Sequence, residues 1–233
     1  MSTFTTFAAN LFPNKCILCK MLLRPHEQHC CTTCIDYLPY ISLGCGKCNS
    51  PLTTTAELCG YCLTTERHWE LCISPFAYID PLPKLIHALK YQNKTHTINF
   101  FIDSIIAATN DSAAVMPDFL TYIPSHPLRF IERGYNQSLI LTQALSKKTN
   151  IPYIGAFEKV KTSRQQSKLN RKERIKEPKH TFRLKSSSKK DIQEKHITII
   201  DDVVTTGSTT SELARIIKKA GAARVDVWSI ART

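Results

Sequence analysis

Apolar and polar positions alternate with two different periods along the chain, and the changes of period mark its elements. Ile197 to Ile200 is a short apolar run rich in β-branched residues and reads as a buried strand, with Asp201 and Asp202 at its end. Val203 to Ser208 forms a small turn with one glycine, after which Leu213, Ile216, Ile217 and Ala220 fall on one helical face. Thr209 as N-cap and Glu212 three residues on predict a capping box, and Gly221 ends the helix. Arg224 to Ala231 reads as the next strand. Upstream, Leu82, Leu85, Ile86 and Leu89 predict a helix over Pro81 to Tyr91, and a second apolar helix runs from about Ile98 to Ala108. A loop over Asn110 to Pro117 leads into a strand over Asp118 to Pro124. Leu139, Ile140, Ala144 and Leu145 mark a helix ending near Lys148, and Ile151 to Phe157 is another short strand. Trp69 to Tyr78 reads as a connector containing a strand. This alternation predicts an α/β fold with a doubly wound, mostly parallel sheet, whose ligands bind outside the carboxyl ends of the strands.

The first part of the chain has neither period. All ten cysteines lie at or before Cys72, and eight of them form Cys-x-x-Cys pairs: Cys16/Cys19, Cys31/Cys34, Cys45/Cys48 and Cys59/Cys62. Gaps of 10 or 11 residues separate the pairs. A Cys-x-x-Cys turn presents two sulfurs to one metal, and two turns complete a tetrahedral site, so eight thiolates suit two structural Zn²⁺ ions. Sequential pairing is the simpler arrangement and interleaved pairing is the alternative. Redox-active pairs would call for a thioredoxin-like strand and helix pattern, which is missing around them. Cys30 and Cys72 stand outside the pairs and read as buried thiols. So few aliphatic residues accompany the cysteines that this region needs metal to fold. The expected division is a Cys-rich zinc-binding region over 1–70 and an α/β domain over 71–233.

Charge adds a third feature. Lys and Arg number 31 against 19 Asp and Glu, a formal net of +12. Between Lys159 and Lys190, 13 Lys or Arg face two Glu, so nearly all of the excess sits in one stretch. Such a block favours polyanions. The expectation is a basic flexible loop at about 159–190, with Arg164, Lys168, Arg171, Lys172 and Arg174 as candidate DNA contacts. Tyr37, Tyr40, Tyr61 and Trp69 are candidates for stacking on bases. No apolar run is long enough to span a bilayer, and the N-terminus lacks the basic start and apolar core of a signal peptide. A cytoplasmic protein is expected.

Residues 201–209 hold the most specific chemistry. A strand, a Thr/Gly turn and a helix N-terminus make an anion site, because the first N–H groups of a helix lack partners within it. Thr205, Thr206, Ser208 and Thr209 add hydroxyl donors, and Gly207 lets the backbone wrap closely. Asp201 and Asp202 would repel a phosphate, so they must face another part of the ligand. A cis-diol fits, since a carboxylate accepts two hydroxyl hydrogens. The residues therefore ask for a sugar phosphate with a free diol.

Ile199 to Thr209, I-I-D-D-V-V-T-T-G-S-T, closely resembles the 5-phosphoribosyl-1-pyrophosphate (PRPP) signature of type I phosphoribosyltransferases. The resemblance implies that Asp201 and Asp202 hold the ribose hydroxyls and that the turn around Val203, Val204, Thr205, Thr206, Gly207, Ser208 and Thr209 holds the 5′-phosphate. Further stretches narrow it: a Cys-rich start, L-I-H-A-L-K-Y at 85–91, I-P-x-x-P-x-R-x-x-x-R-G-Y-N-Q ending at Gln137, and Q-x-x-L-x-x-x-x-R ahead of Phe182. Together they resemble the ComF family across nearly the whole chain. One position departs, since Glu177 stands where family members usually carry Asn, three residues after Arg174. The resemblance implies a phosphoribosyltransferase-like domain joined to zinc fingers, and a role in natural transformation.

Two functional classes follow. In the first, the protein binds PRPP with Mg²⁺ and handles imported single-stranded DNA in the cytoplasm, with other DNA-uptake proteins as partners. In the second, it is an active PRPP-dependent transferase of nucleotide or base metabolism with no direct DNA role. Ser125, His126, Arg129 and Arg133 are pyrophosphate candidates for either, with His126 also a candidate acid/base. No nucleobase hood is recognisable after the signature, and the sequence names no catalytic residue.

Overall fold

The computed structural model describes residues 15–91, 95–112, 114–124, 135–159 and 182–233. Five parallel strands form the body of the sheet: β1 (Leu71–Ile73), β3 (Phe119–Tyr122), β4 (Tyr153–Ile154), β7 (His196–Val204) and β8 (Arg224–Arg232), in the order β1-β8-β7-β3-β4. β2 (Phe76–Ala77) extends the β1 side of β8. β5 (Phe157–Lys159) and β6 (Phe182–Leu184) pair antiparallel as a separate two-stranded ribbon. The helices are α1 (Thr32–Asp36), α2 (Gly60–Thr64), α3 (Leu82–Tyr91), α4 (Thr95–Asp111), α5 (Gln137–Thr149), α6 (Lys189–Ile192) and α7 (Ser208–Lys219).

The doubly wound arrangement follows from the buried strands. Side chains alternate across a strand, so β7 and β8 must feed two cores. Ile200, Trp228 and Ile230 face one layer, with Leu85 and Ile86 of α3, Phe101 and Ile105 of α4, and Leu141 and Leu145 of α5. Ile197, Ile199, Val225 and Val227 face the other, with Leu213 and Ile217 of α7. α5 follows β3 toward β4, and α7 follows β7 toward β8, so the winding reverses between β3 and β7. The register pairs Tyr122 with Ile200, which sets the end of β3 beside Asp201. Ligands of open α/β sheets bind at such a reversal.

Local chemistry explains the helix ends. Asn136 caps α5 by accepting from the Leu139 N–H at 3.3 Å, and its Nδ2 donates to the Ile123 carbonyl at 2.9 Å, tying the helix start to β3. Asn150 ends α5 in the left-handed region at φ 60°, with Lys147 and Lys148 in the last turn where the dipole favours cations. Three expectations need correction, the first being that Ile151 to Phe157 is not one strand: Tyr153–Ile154 joins the main sheet and Phe157 opens β5 of the ribbon. β7 continues to Val204, because β8 pairs with it as far as Val204 opposite Arg232, so Asp201 and Asp202 are strand residues. α7 opens at Ser208 behind Gly207, without a side-chain cap, and Thr209 lies inside the helix; the Thr209–Glu212 capping box does not form.

The Cys-rich region consists of two copies of one unit. A tight turn carries Cys16 and Cys19 and passes through Lys20 at φ 65°; its counterpart carries Cys45 and Cys48 and passes through Asn49 at φ 53°. An antiparallel bridge closes each turn, Lys15 with Leu22 and Gly44 with Pro51. Each unit then adds a five-residue helix whose N-cap is a cysteine: Cys31 before α1, which contains Cys34, and Cys59 before α2, which contains Cys62. Unit one packs with the α3–α5 layer and unit two with the α7 layer. Cys30 and Cys72 are buried as expected, and Leu58 takes the place of Cys30 in the second unit.

Candidate functional site

Two groups of side chains carry the chemistry. The first is the pair of cysteine clusters. Cys16, Cys19, Cys31 and Cys34 come together, as do Cys45, Cys48, Cys59 and Cys62, with all four sulfurs of each set within 4.8 Å of one another. The pairing is sequential. Cys19 Sγ lies 3.7 Å from Cys31 Sγ, and Cys48 Sγ lies 3.7 Å from Cys59 Sγ. These match the edge of about 3.8 Å in a tetrahedron with Zn–S bonds of about 2.3 Å, and are far longer than a disulfide.

Backbone donors favour thiolates at equivalent places in both units. The Cys31 N–H points at Cys16 Sγ at 3.5 Å and the Cys59 N–H at Cys45 Sγ at 3.2 Å. Burial opposes ionisation of Cys16 and Cys45, yet the surrounding N–H groups outweigh it and bring each down to about 6. Burial and the neighbouring thiols push Cys34 up to about 12 and raise Cys62 also. Four sulfurs this close cannot all ionise without a cation among them, so each donor set fits a bound metal ion.

The second group lies where β7 meets α7. Asp201 and Asp202 are half-buried at the end of the strand, and Thr205, Thr206, Ser208 and Thr209 are exposed around the turn. The Asp201 carboxylate takes the Ser138 hydroxyl at 3.2 Å and the Asp202 N–H at 2.9 Å. Asp202 curls back onto the Val203 N–H at 2.8 Å. Burial pushes Asp201 well above the usual carboxylate range, and the Asp202 charge beside it adds to the rise. Two carboxylate side chains this close favour an arriving hydroxyl pair or cation. Thr206 and Ser208 hydroxyls lie 3.1 Å apart at the mouth of the turn.

Gly207 has two reasons to be glycine. It sits at φ 73°, and a Cβ there would lie 2.8 Å from both Arg67 Nη1 and Trp69 Cη2. Trp69, a stacking candidate from sequence, is buried and donates to the Lys47 carbonyl at 3.0 Å. Tyr37 and Tyr40 are exposed, while Tyr61 carries the Arg67 guanidinium over its ring at 4.2 Å. Ser125, His126, Arg129 and Arg133 lie outside the described residues, as do Arg164, Lys168, Arg171, Lys172 and Arg174. Sequence reasoning missed Ser138, whose only signal was its place two residues after the capping Asn136.

No protein-family model matches the chain. Among curated proteins it is 34% identical to competence protein F of Haemophilus influenzae over 236 residues, covering 96% of this chain and 99% of that one. The chain belongs to the competence protein F (ComF) family. The DNA utilization protein YhgH of Escherichia coli is 30% identical over 226 residues, covering 95% of this chain and 98% of its own. Competence protein ComFC of Streptococcus pneumoniae is 33% identical over 110 residues, about half of either chain (47% and 46%). Among solved structures, an adenine phosphoribosyltransferase from Thermoanaerobacter pseudethanolicus covers 60% of the chain at a TM-score of 0.39 and 10% identity. A purine phosphoribosyltransferase from Pyrococcus horikoshii covers 60% at a TM-score of 0.36 and 15% identity. No helix among the described residues is long and apolar enough to cross a membrane.

Two outcomes are expected. Elemental analysis of protein purified without chelator should find two Zn²⁺ per chain, and Cys45→Ser should lose one and destabilise its unit, because structural zinc contributes folding free energy. Less than half an equivalent would refute the metal assignment. Asp201→Asn should stabilise the free protein while its Oδ1 still accepts from Ser138 and Asp202. The native state holds the Asp201 proton more tightly than the unfolded chain, so the parent loses stability as pH rises above the ordinary value of 3.8, and the variant does not. Thermal melts should therefore coincide below that pH and diverge above it, with the variant melting higher. Equal melting at pH 7 would show that Asp201 carries no such burden.

Proposed function

We propose that the protein binds PRPP, accompanied by Mg²⁺, at the end of β7, and that it serves DNA uptake in natural transformation by handling incoming single-stranded DNA in the cytoplasm. The observation that carries the ligand reading is one of spacing. A carboxylate pair with a raised Asp201 pKa stands immediately ahead of a hydroxyl-lined turn at the start of a 12-residue helix, beside the reversal of the sheet. Asp201 and Asp202 would take the ribose diol, and the backbone and hydroxyls from Val203 to Thr209 the 5′-phosphate. Ser125, His126, Arg129 and Arg133 follow β3 in sequence and are assigned to the pyrophosphate. Two Zn²⁺ ions would hold the 1–70 region together against the 71–233 domain.

The DNA part rests on the relatives called competence protein and DNA utilization protein, and on the positive charge between Lys159 and Lys190. Other DNA-uptake proteins are the natural partners of such a chain. Single-stranded DNA should bind without strong sequence preference. If about five phosphates are neutralised, the log–log salt slope should be roughly −3 to −4, at ~0.7 per phosphate. Reversing Arg171, Lys172 and Arg174 to Glu should weaken binding uniformly; unchanged affinity would move the contact elsewhere.

Calorimetric titration tests the PRPP site. Asp201→Asn with Asp202→Asn removes charge-assisted hydrogen bonds worth roughly 1.5–3 kcal/mol each. PRPP affinity should fall at least tenfold, at ~1.4 kcal/mol per decade, and ribose 5-phosphate should bind the parent more weakly than PRPP. A double variant that binds PRPP as tightly as the parent would overturn the assignment. Pyrophosphate release in the presence of bases or DNA would add transferase turnover to binding.

A further inference from the structure

The second cysteine cluster and the phosphate turn are joined by two buried arginines. Arg67 donates from Nη1 to the Thr206 carbonyl at 2.6 Å. Its guanidinium stacks over the Tyr61 and Trp69 rings, at 4.2 and 5.0 Å from their centroids. Arg232 donates from Nε to the Cys48 carbonyl at 2.9 Å, and its Nη2 lies 3.6 Å from Cys48 Sγ. From Nη1 it reaches the Val204 carbonyl at 3.0 Å and the Thr205 carbonyl. The two side chains are only 7% and 5% exposed. Trp69 completes the wall by binding Lys47, which lies between Cys45 and Cys48.

Three consecutive carbonyls, Val204, Thr205 and Thr206, are thus held from one side. A trans peptide is planar, with its N–H opposite its C=O. Fixing those carbonyls therefore aims the N–H groups of Thr205, Thr206 and Gly207 the other way, as a concave row of donors of the kind that binds anions. The arginines in turn are held by the second unit: Arg232 by the Cys48 sulfur and carbonyl, and Arg67 by the Tyr61 ring between Cys59 and Cys62. A metal-bound thiolate is a charged acceptor and keeps a guanidinium in place; a neutral or oxidised thiol does so weakly. Cluster one has no such link: among the described residues its surroundings are the α3–α5 layer, with His29 3.3 Å from Asp103 of α4.

We propose that Arg67 and Arg232 are positioning residues that couple the second Cys₄ cluster to the phosphate turn, so that anion affinity there depends on that cluster being intact and not on the first. The inference rests on the turn being a phosphate site, as in the proposed function, and its tests separate the two. Full-length protein is compared with Arg67→Gln, Arg67→Lys, Cys16→Ser/Cys19→Ser and Cys59→Ser/Cys62→Ser. Arg67→Gln should weaken PRPP binding at least tenfold and speed hydrogen exchange at the Thr205, Thr206 and Gly207 amides. Its content of two Zn²⁺ would show that it is folded, and Arg67→Lys should fall between it and the parent. Loss of cluster one should leave affinity within twofold, whereas loss of cluster two should reproduce Arg67→Gln. Coupling between binding free energies is reciprocal, so in Cys16→Ser/Cys19→Ser protein, which retains only cluster two, PRPP should tighten zinc binding against a competing chelator at equilibrium. In the variant retaining only cluster one it should not, a distinction that a merely structural role would not produce. Unchanged amide exchange in Arg67→Gln, or equal effects of losing either cluster, would overturn the proposal. If the parent does not bind PRPP, the proposed function fails, and amide exchange at the turn still decides the coupling.

Discussion

Parallel pairing of β7 with β8 along almost its whole length is the constraint on which the site depends. A strand ending at Ile200 would leave the two aspartates on a loop. Continued pairing, to Val204 opposite Arg232, holds Asp201 and Asp202 on a fixed backbone and delivers the turn at a set height above the sheet. The same register sets the Arg232 guanidinium beneath the turn's carbonyls. The C-terminal strand thus both supports the site from the side and holds it from behind.

The aspartates show what that placement costs. Asp201 is driven toward its protonated form by burial and by Asp202, a conflict a stable fold would ordinarily avoid. Ser138 softens it, and reaches Asp201 because Asn136 fixes the start of α5 against the end of β3. The described part of the R-G-Y-N-Q stretch is accordingly architectural: Tyr135 also donates from its hydroxyl to the Leu89 carbonyl of α3.

How far the sequence could be read follows from the distances along the chain over which groups cooperate. The turn from Asp201 to Thr209 was legible because its donors and acceptors are consecutive. Cysteine pairing was legible because each turn brings its own two sulfurs together, and the structure chooses the sequential arrangement. The extension of β7 was not, because aspartate has a low strand propensity and only a neighbouring strand overrides it. The capping box failed because Gly207, at φ 73°, already turns the chain two residues earlier. Arg67, Arg232 and Ser138 bind partners 139, 28 and 63 residues away, so their local sequence does not name those partners.

Gly207 carries a consequence for any attempt to move this turn into another protein. Its backbone conformation and its lack of a side chain answer to different neighbours, the first to the opening of α7 and the second to Arg67 and Trp69 packed behind it. Those residues come from the segment that follows the second cysteine unit. A transplanted Asp201 to Thr209 stretch would keep the glycine and lose the reason its carbonyls face inward. The smallest portable piece is therefore discontinuous: the turn, the last strand, and a cysteine knuckle more than a hundred residues upstream.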